Sequence, residues 1–289
     1  MLGVPNSPST ESQPACPHDE VSSCSGSVRV VASSPTNFTT QMLNKVPEVT
    51  IAFWVIKIMS TTVGETGADY LAVHVGLGTV ITGGIMVSLL LASLVMQVLA
   101  RHYIPWRYWL TVVLVSVVGT QLTDALTDQL GISLYVSTAV FAALLAATFA
   151  VWHTREHTLS IHTITTKRRE LFYWTAILFT FALGTAAGDL ATEALGLGFN
   201  VGVLVFSAMI AAVYSAYRLG ANAVLAFWLA YILTRPLGAS LGDLLSQAQT
   251  YGGLGLGTIM TSIGFLVVIV ALVAMLSVRA KRVEAAHEL

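Results

Sequence analysis

The sequence repeats one spaced pattern four times. In each copy a tryptophan is followed by a glycine ten residues later and by an aspartate five residues after that, and an aromatic residue precedes the tryptophan. A fixed spacing of four columns in four copies predicts tandem structural repeats. The four copies are Phe53, Trp54, Gly64 and Asp69; Tyr108, Trp109, Gly119 and Asp124; Tyr173, Trp174, Gly184 and Asp189; and Phe227, Trp228, Gly238 and Asp243.

The apolar composition predicts an integral membrane protein. Of the 289 residues, 55% are hydrophobic and 10% are charged, and the mean hydropathy is +0.75. Soluble domains carry about 25% charged residues. A helix needs about 20 apolar residues to cross a bilayer. Apolar runs of this length lie at about 49–73, 79–100, 107–128, 132–152, 170–193, 199–217, 223–247 and 256–277. The net charge of -1 gives no indication of nucleic acid binding.

The two ends of the chain differ in composition from the membrane region. Residues 1–44 are rich in Ser, Thr, Pro and Asn and predict a disordered cytoplasmic tail. Cys16, His18 and Cys24 lie in this tail, where a metal or redox site is the weaker interpretation. The membrane domain is predicted at residues 45–278, with repeats at about 45–104, 105–168, 169–221 and 222–278. Residues 279–289 are predicted to form a cytoplasmic C-terminal tail.

The expected fold is all-α, with eight transmembrane helices arranged as four tandem two-helix repeats. Since every repeat holds an even number of spans, all four first helices cross the membrane in the same direction. Such parallel repeats are pseudo-symmetric about the membrane normal. The turns within repeats contain no Lys or Arg, whereas the links between repeats do, and the positive-inside rule therefore places both termini in the cytoplasm. The basic residues of the links and the C-terminal tail are Lys45, Arg101, Arg107, Arg155, Lys167, Arg168, Arg169, Arg218, Arg279, Lys281 and Arg282.

The first span of each repeat carries a stripe of carboxylates. On a helical projection Thr61, Glu65 and Asp69 fall within about 60° of Trp54. Ionisable groups in hydrocarbon cost several kcal/mol, so this face is expected to point to a protein interior or a wet cavity. Carboxylates among hydroxyl oxygens suit Mg²⁺, Ca²⁺, Mn²⁺ or protons. The carboxylates are Glu65, Asp69, Asp124, Asp128, Asp189, Glu193 and Asp243; the tentative metal ligands are Glu65, Asp69, Asp124, Asp189 and Asp243.

Two cations share the stripe with the carboxylates. Lys57 and Arg235 lie one turn apart on the repeat template, on the cytoplasmic side of the aspartates. In one interpretation they pair with carboxylates and lock the bundle. In the other they are tethered, charge-balancing cations that compete with a transported ion or proton. The excess of carboxylates over cations favours the second interpretation.

The repeat glycines and aromatic residues have structural interpretations. Gly64, Gly119, Gly184 and Gly238 are either packing contacts, which we favour, or hinge points where the helix unwinds. Pro236 supports a kink near Gly238. The tryptophans Trp54, Trp109, Trp174 and Trp228 are expected to be anchors at the cytoplasmic interface of the membrane.

The longest link contains three histidines. His153 and His157 stand four residues apart, and His162 follows them. Two imidazoles at this spacing could bind a metal from one helix face. We favour a solvated cytoplasmic loop, because no cysteine or regular ligand spacing supports a metal site.

The segment from Lys45 through Phe53, Trp54 and Lys57 to Gly64, Glu65 and Asp69 resembles the opening repeat of a bacterial family of multi-pass proteins. That family is built from tandem transmembrane repeats of unknown function, and the resemblance covers about residues 45–278. It implies location in the bacterial cytoplasmic membrane and no particular activity. Later copies replace Glu65 with Thr120, Thr185 and Ala239, and Lys57 with Val112, Ile177 and Tyr231.

The pattern predicts a transporter or channel for a hard divalent cation or protons, lined by carboxylates. The alternative is a non-transporting scaffold or sensor whose intramembrane charges form structural salt bridges. The expected partners are the lipid bilayer and a small inorganic cation or proton. No covalent cofactor is expected, and a divalent metal ion is the one group that the carboxylates would suit. We do not expect an enzyme, because the sequence contains no catalytic motif or nucleotide loop.

Overall fold

The computed structural model describes residues 45–69 and 78–287 of the chain. The predicted tail of residues 1–44, the turn at residues 70–77 and residues 288–289 lie outside this description. The side chains of Glu65, Ala68, Asp69, Glu193, Tyr251 and residues 283–287 lie outside it as well. Three of the predicted carboxylate ligands therefore have no side-chain geometry here.

The described residues form eight long helices and no strand. They are α1 Ile51–Asp69, α2 Gly78–Leu99, α3 Pro105–Asp124, α4 Leu134–Glu156, α5 Lys167–Asp189, α6 Gly198–Arg218, α7 Ala223–Ser246 and α8 Thr258–His287. Seven of them are long and apolar enough to cross a membrane, and the apolar part of α1 is Ile51–Gly64. The predicted all-helical, multi-pass architecture is confirmed.

Most residues of the predicted C-terminal tail continue the last helix. Helix α8 continues to His287, so most of residues 279–289 belong to a helix. Alanine, lysine, arginine and glutamate in this stretch are good helix formers and extend the helix beyond its apolar part.

Several helices end at glycines or begin at polar capping side chains. Gly131, Gly196 and Gly252 each adopt a positive φ, of 64°, 67° and 84°, at the turns within repeats two, three and four. This backbone conformation strains other residues, which explains why glycine stands at these reversals. At the links, the side chain of Asn222 accepts hydrogen bonds from two backbone N–H groups at the start of α7.

The first helices of the repeats form a closed ring. Helix α1 packs on α3, α3 on α5, α5 on α7, and α7 returns to α1. The second helices lie outside the ring, and each packs mainly against the first helix of the following repeat: α2 on α3, α4 on α5, α6 on α7, and α8 on α1. The second helix of each repeat therefore packs on the following repeat, and the second helix of repeat four packs on repeat one.

Two ring helices change their winding immediately after the repeat aspartate. Helix α3 continues beyond Asp124 as a π-helix at Ala125–Gln129, and α5 continues beyond Asp189 as a π-helix at Leu190–Ala194. π-Helical turns are rare and occur frequently at functional sites. The π-helical turns therefore indicate a candidate site at the end of the ring that carries the aspartates.

Candidate functional site along the axis of the ring

The repeat glycines lie where neighbouring ring helices meet. In each case a Cβ atom added to the glycine would collide with the first helix of the next repeat. The residues met are Ser116 for Gly64, Phe181 for Gly119, Arg235 for Gly184 and Thr61 for Gly238. The helices run without interruption through all four positions, and α7 also continues through Pro236. This geometry is that of close helix packing.

The aromatic columns form a second cyclic contact, at the start of the ring helices. The aromatic residue before each tryptophan contacts the tryptophan of the next repeat, and we call these eight residues the aromatic cycle. The ring centroids are 5.5 Å apart for Phe53 and Trp109, 5.5 Å for Tyr108 and Trp174, 6.2 Å for Tyr173 and Trp228, and 5.8 Å for Phe227 and Trp54.

Three of the four tryptophans pack against protein. Trp109, Trp174 and Trp228 are only 2–4% exposed, while Trp54 is half-buried. Indole rings that anchor a protein at the membrane interface face the lipid headgroups. The burial shows that these three rings join ring helices to each other, and their depth in the membrane stays a prediction.

One layer further along the axis lies Lys57. Its ammonium group donates to the backbone oxygen of Tyr231 at 2.9 Å and to Thr234 Oγ1 at 2.6 Å. It also lies 4.3 Å from the ring centroid of Tyr231 and 5.0 Å from that of Phe181. Among the described side chains, no carboxylate lies within ion-pair distance of Lys57. This cation is held by a carbonyl, a hydroxyl and two aromatic faces.

Arg235 lies in the next layer toward the aspartates. Its guanidinium group donates to Thr185 Oγ1 at 2.7 Å and to Thr120 Oγ1. These hydroxyls belong to α5 and α3, so one side chain of α7 reaches across the ring to both helices. Lys57 and Arg235 are each 0% exposed, which places both predicted cations in the protein interior.

The described carboxylates of the predicted ligand set lie toward the opposite end of the ring from the aromatic cycle. Asp124, Asp189 and Asp243 are half-buried, whereas Asp128 is exposed. By helix rise each aspartate stands about 22 Å beyond the tryptophan of its repeat. Among the described residues, no three His, Cys, Asp or Glu side chains form a group that could hold a metal ion. The predicted ligand set also includes Glu65 and Asp69, so it stays a prediction.

A buried ion pair that the sequence did not indicate lies beyond the aromatic cycle. Lys45 Nζ is 2.7 Å from Glu170 Oε2 and donates to the backbone oxygen of Val98 at 3.0 Å. Lys45 is 5% exposed and Glu170 is 1% exposed. The sequence predicts Lys45 only as a basic residue of a cytoplasmic link. A carboxylate such as Glu170 at the start of an apolar span is expected to pair with a basic group, but the sequence does not identify that group.

The long link between α4 and α5 is only partly solvated. His157 and His162 are exposed, as expected for a loop, whereas His153, which the sequence predicts in the loop, is exposed in the last turn of α4. Ile161 and Ile164 are buried, and the indole N–H of Trp228 donates to the backbone oxygen of Leu159 at 3.0 Å. Apolar residues of this link therefore pack against the end of the ring that holds the aromatic cycle.

The repeats of the structure agree with a family assignment. Residues 52–103, 107–158, 172–219 and 226–282 each match the family described as Repeat of Unknown Function (DUF347). The chain belongs to this family. The match confirms the four tandem repeats and the resemblance drawn from the first of them. No curated protein and no solved structure matches the chain.

In this DUF347 protein, a glycine at a contact between ring helices can be compared with a glycine that faces open space. We expect Gly119→Ala to lower the free energy of unfolding by about 1–3 kcal/mol, the usual cost of overpacking. The added Cβ would lie 2.7 Å from Phe181 Cβ and 3.2 Å from the backbone nitrogen of Ala182, which cannot move aside. The measurement is thermal unfolding of the purified protein in one detergent.

Gly83→Ala is the control for this substitution. Gly83 lies in α2 with no atom within 4 Å of an added Cβ, so the same change meets open space. We expect an unchanged or slightly higher midpoint, because alanine favours a helix more than glycine does. Equal midpoints for the two variants would contradict the packing role of Gly119.

Proposed function

We propose that this protein is a membrane carrier that moves a small hard cation or protons along the axis of the ring. The observation that carries the proposal is a line of buried polar groups on that axis. It runs from Lys57 through Arg235 to the hydroxyls of Thr120 and Thr185, and the half-buried aspartates follow. Ionisable residues inside a membrane bundle are costly and mark ion or proton pathways.

The proposed orientation follows from the repeats and the basic links. Four parallel repeats would be pseudo-symmetric about the membrane normal, with both termini in the cytoplasm. The aspartates would then face outward and receive the ion first. Glu65, Asp69, Asp124, Asp189 and Asp243 would be ligands or proton carriers, and Lys57 and Arg235 would be tethered cations that compete with the substrate.

The filled axis favours a carrier over a permanently open channel. Two successive layers of ring side chains are completely buried. The first consists of Lys57, Val112, Ile177 and Tyr231, and the second of Thr61, Ser116, Phe181 and Arg235. The aromatic cycle closes the same end of the ring. An ion could pass only if these layers rearranged, as alternating access requires.

The proposal is tested by flux in proteoliposomes that contain the purified full-length protein. Uptake is followed with dyes that respond to Mn²⁺, Mg²⁺, Ca²⁺ or pH. We expect the wild type to exceed protein-free vesicles for at least one of these ions. The double variant Asp69→Asn/Asp124→Asn should abolish that flux, because it removes two of the proposed outer carboxylates.

Asp128→Asn is compared with the double variant in the flux experiment, because Asp128 is an exposed member of the same set of carboxylates. Asp128 is exposed and lies one turn beyond Asp124, so its variant should keep at least half of the wild-type flux. Unchanged flux in a folded double variant would refute the assigned role of the aspartates. Absence of flux for all four ions in the wild type would refute the carrier.

A scaffold or sensor is the second candidate, and the contacts of the two cations favour it specifically. Lys57 joins α1 to α7, and Arg235 joins α7 to α3 and α5. In a scaffold these contacts only assemble the ring. Asp69→Asn should then lower the unfolding temperature, no cation should raise it, and no ion should be transported.

A further inference from the structure

One column of the repeats is polar in three copies and aromatic in the fourth. Seven residues after the repeat tryptophan stand Thr61, Ser116 and Arg235, but α5 carries Phe181. All four side chains are completely buried. Phe181 is the one apolar side chain of this buried layer.

The phenyl ring of Phe181 lies against α7 and against the tip of the Lys57 side chain, which extends from α1 to α7. Its centroid lies 5.0 Å from Lys57 Nζ on α1, 5.9 Å from Arg235 Cζ on α7 and 6.4 Å from the ring centroid of Tyr231. On α3, Gly119 packs against the Cβ atom and the backbone of Phe181. Because Phe181 packs on α3 and α7 and also meets the buried end of a side chain from α1, its ring lies in the interior where these helices converge.

The two buried cations meet Phe181 and have their hydrogen-bond partners at different levels of the ring helices. Arg235 is on the side of the aspartates, where it binds the hydroxyls of Thr120 and Thr185. Lys57 is on the side of the aromatic cycle, against Tyr231. Cation–π attraction to both groups holds the phenyl ring in place.

We infer that Phe181 is the gate of the transport path, an inference that rests on the proposed function. An apolar side chain that fills a buried layer of the path excludes water and so blocks ions and protons. The cation on each side adds a repulsive barrier to a transported cation. The ring has to leave the axis before an ion can pass between Arg235 and Lys57.

The gate is tested by the accessibility of a cysteine placed behind it. The sequence contains only Cys16 and Cys24, so Cys16→Ser/Cys24→Ser gives a cysteine-free background. Val112→Cys then places one thiol in the completely buried layer of Lys57. The readout is the rate of labelling by N-ethylmaleimide in proteoliposomes, together with proton leak through the same vesicles.

We expect Phe181→Ala to raise the labelling rate at least tenfold and to increase the proton leak several-fold. Phe141→Ala is the control, because Phe141 is a phenylalanine of α4 that is 4% exposed and packs on Ala182 and Ala186, away from the cations. It creates a similar cavity off the axis and should change neither quantity. Equal increases in both variants would show general loosening and would overturn the gate.

A third variant keeps the test decisive if Phe181→Ala does not fold. Phe181→Leu keeps an apolar side chain but removes the aromatic face, and we expect labelling to rise several-fold. Unchanged labelling in folded variants, beside a wild type that transports, overturns the gate and leaves the carrier intact. Faster labelling beside a wild type without flux establishes Phe181 as the axial barrier and removes the carrier.

Discussion

Glu170→Gln is expected to lower the free energy of unfolding by about 3–5 kcal/mol, the usual cost of removing one partner of a buried ion pair. The substitution leaves the ammonium group of Lys45 buried without its counter-charge, because an amide oxygen in place of the carboxylate is neutral. The pair also joins the segment before α1 to α5. The measurement is the thermal unfolding midpoint in detergent, which should fall by several degrees.

Two controls distinguish the buried pair from a general effect of charge. Lys45→Met/Glu170→Met replaces both charges with apolar groups and should recover most of the loss, because no buried charge remains. Arg168→Gln alters an ion pair two residues away in which the arginine side chain is 58% exposed, and its effect should stay below about 1 kcal/mol. A loss as large in Arg168→Gln as in Glu170→Gln would contradict the special role of the buried pair.

Trp109→Ala is expected to lower the free energy of unfolding by about 3–5 kcal/mol, the range for removing a tryptophan from a core. Trp109 is 2% exposed and contacts the rings of Phe53 and Tyr108, at 5.5 Å and 5.1 Å between centroids. The substitution opens the aromatic cycle between repeats one and two. The same thermal unfolding measurement reports the loss.

Trp106→Ala is the matched control, since it removes the same side chain from the same helix three residues earlier. Trp106 is 48% exposed, so little packing is lost. We expect a change below about 1 kcal/mol. If Trp106→Ala destabilises the protein as much as Trp109→Ala does, the aromatic cycle is not what holds this end of the ring.

The helices and repeats could be predicted from sequence because both are local properties. The length of an apolar run decides whether a helix can cross a membrane, and the spacing of a motif is counted along one chain. The stripe of polar residues also predicted an interior position for Lys57 and Arg235, and both are completely buried. The ring of four aspartates remains a prediction.

Other parts of the candidate site could not be predicted, because they depend on contacts between distant repeats. Lys45 and Glu170 are 125 residues apart, and counting basic residues in loops does not reveal an acidic partner. Phe181 departs from a column that is polar in the other three repeats, but the sequence does not show which side chains meet it. Its importance comes only from the two cations that meet it on the axis.

The sequence by itself determined the Trp-Gly-Asp repeat, the helices that carry it and the glycine positions where a close approach is allowed. The tertiary structure decided which helix approaches each glycine, because the absence of a side chain allows close approach by any helix that packs there. It also decided that α8 closes on α1 and that each aromatic residue meets the tryptophan of the next repeat. Those choices follow from packing four first helices into one ring, which no single repeat can specify.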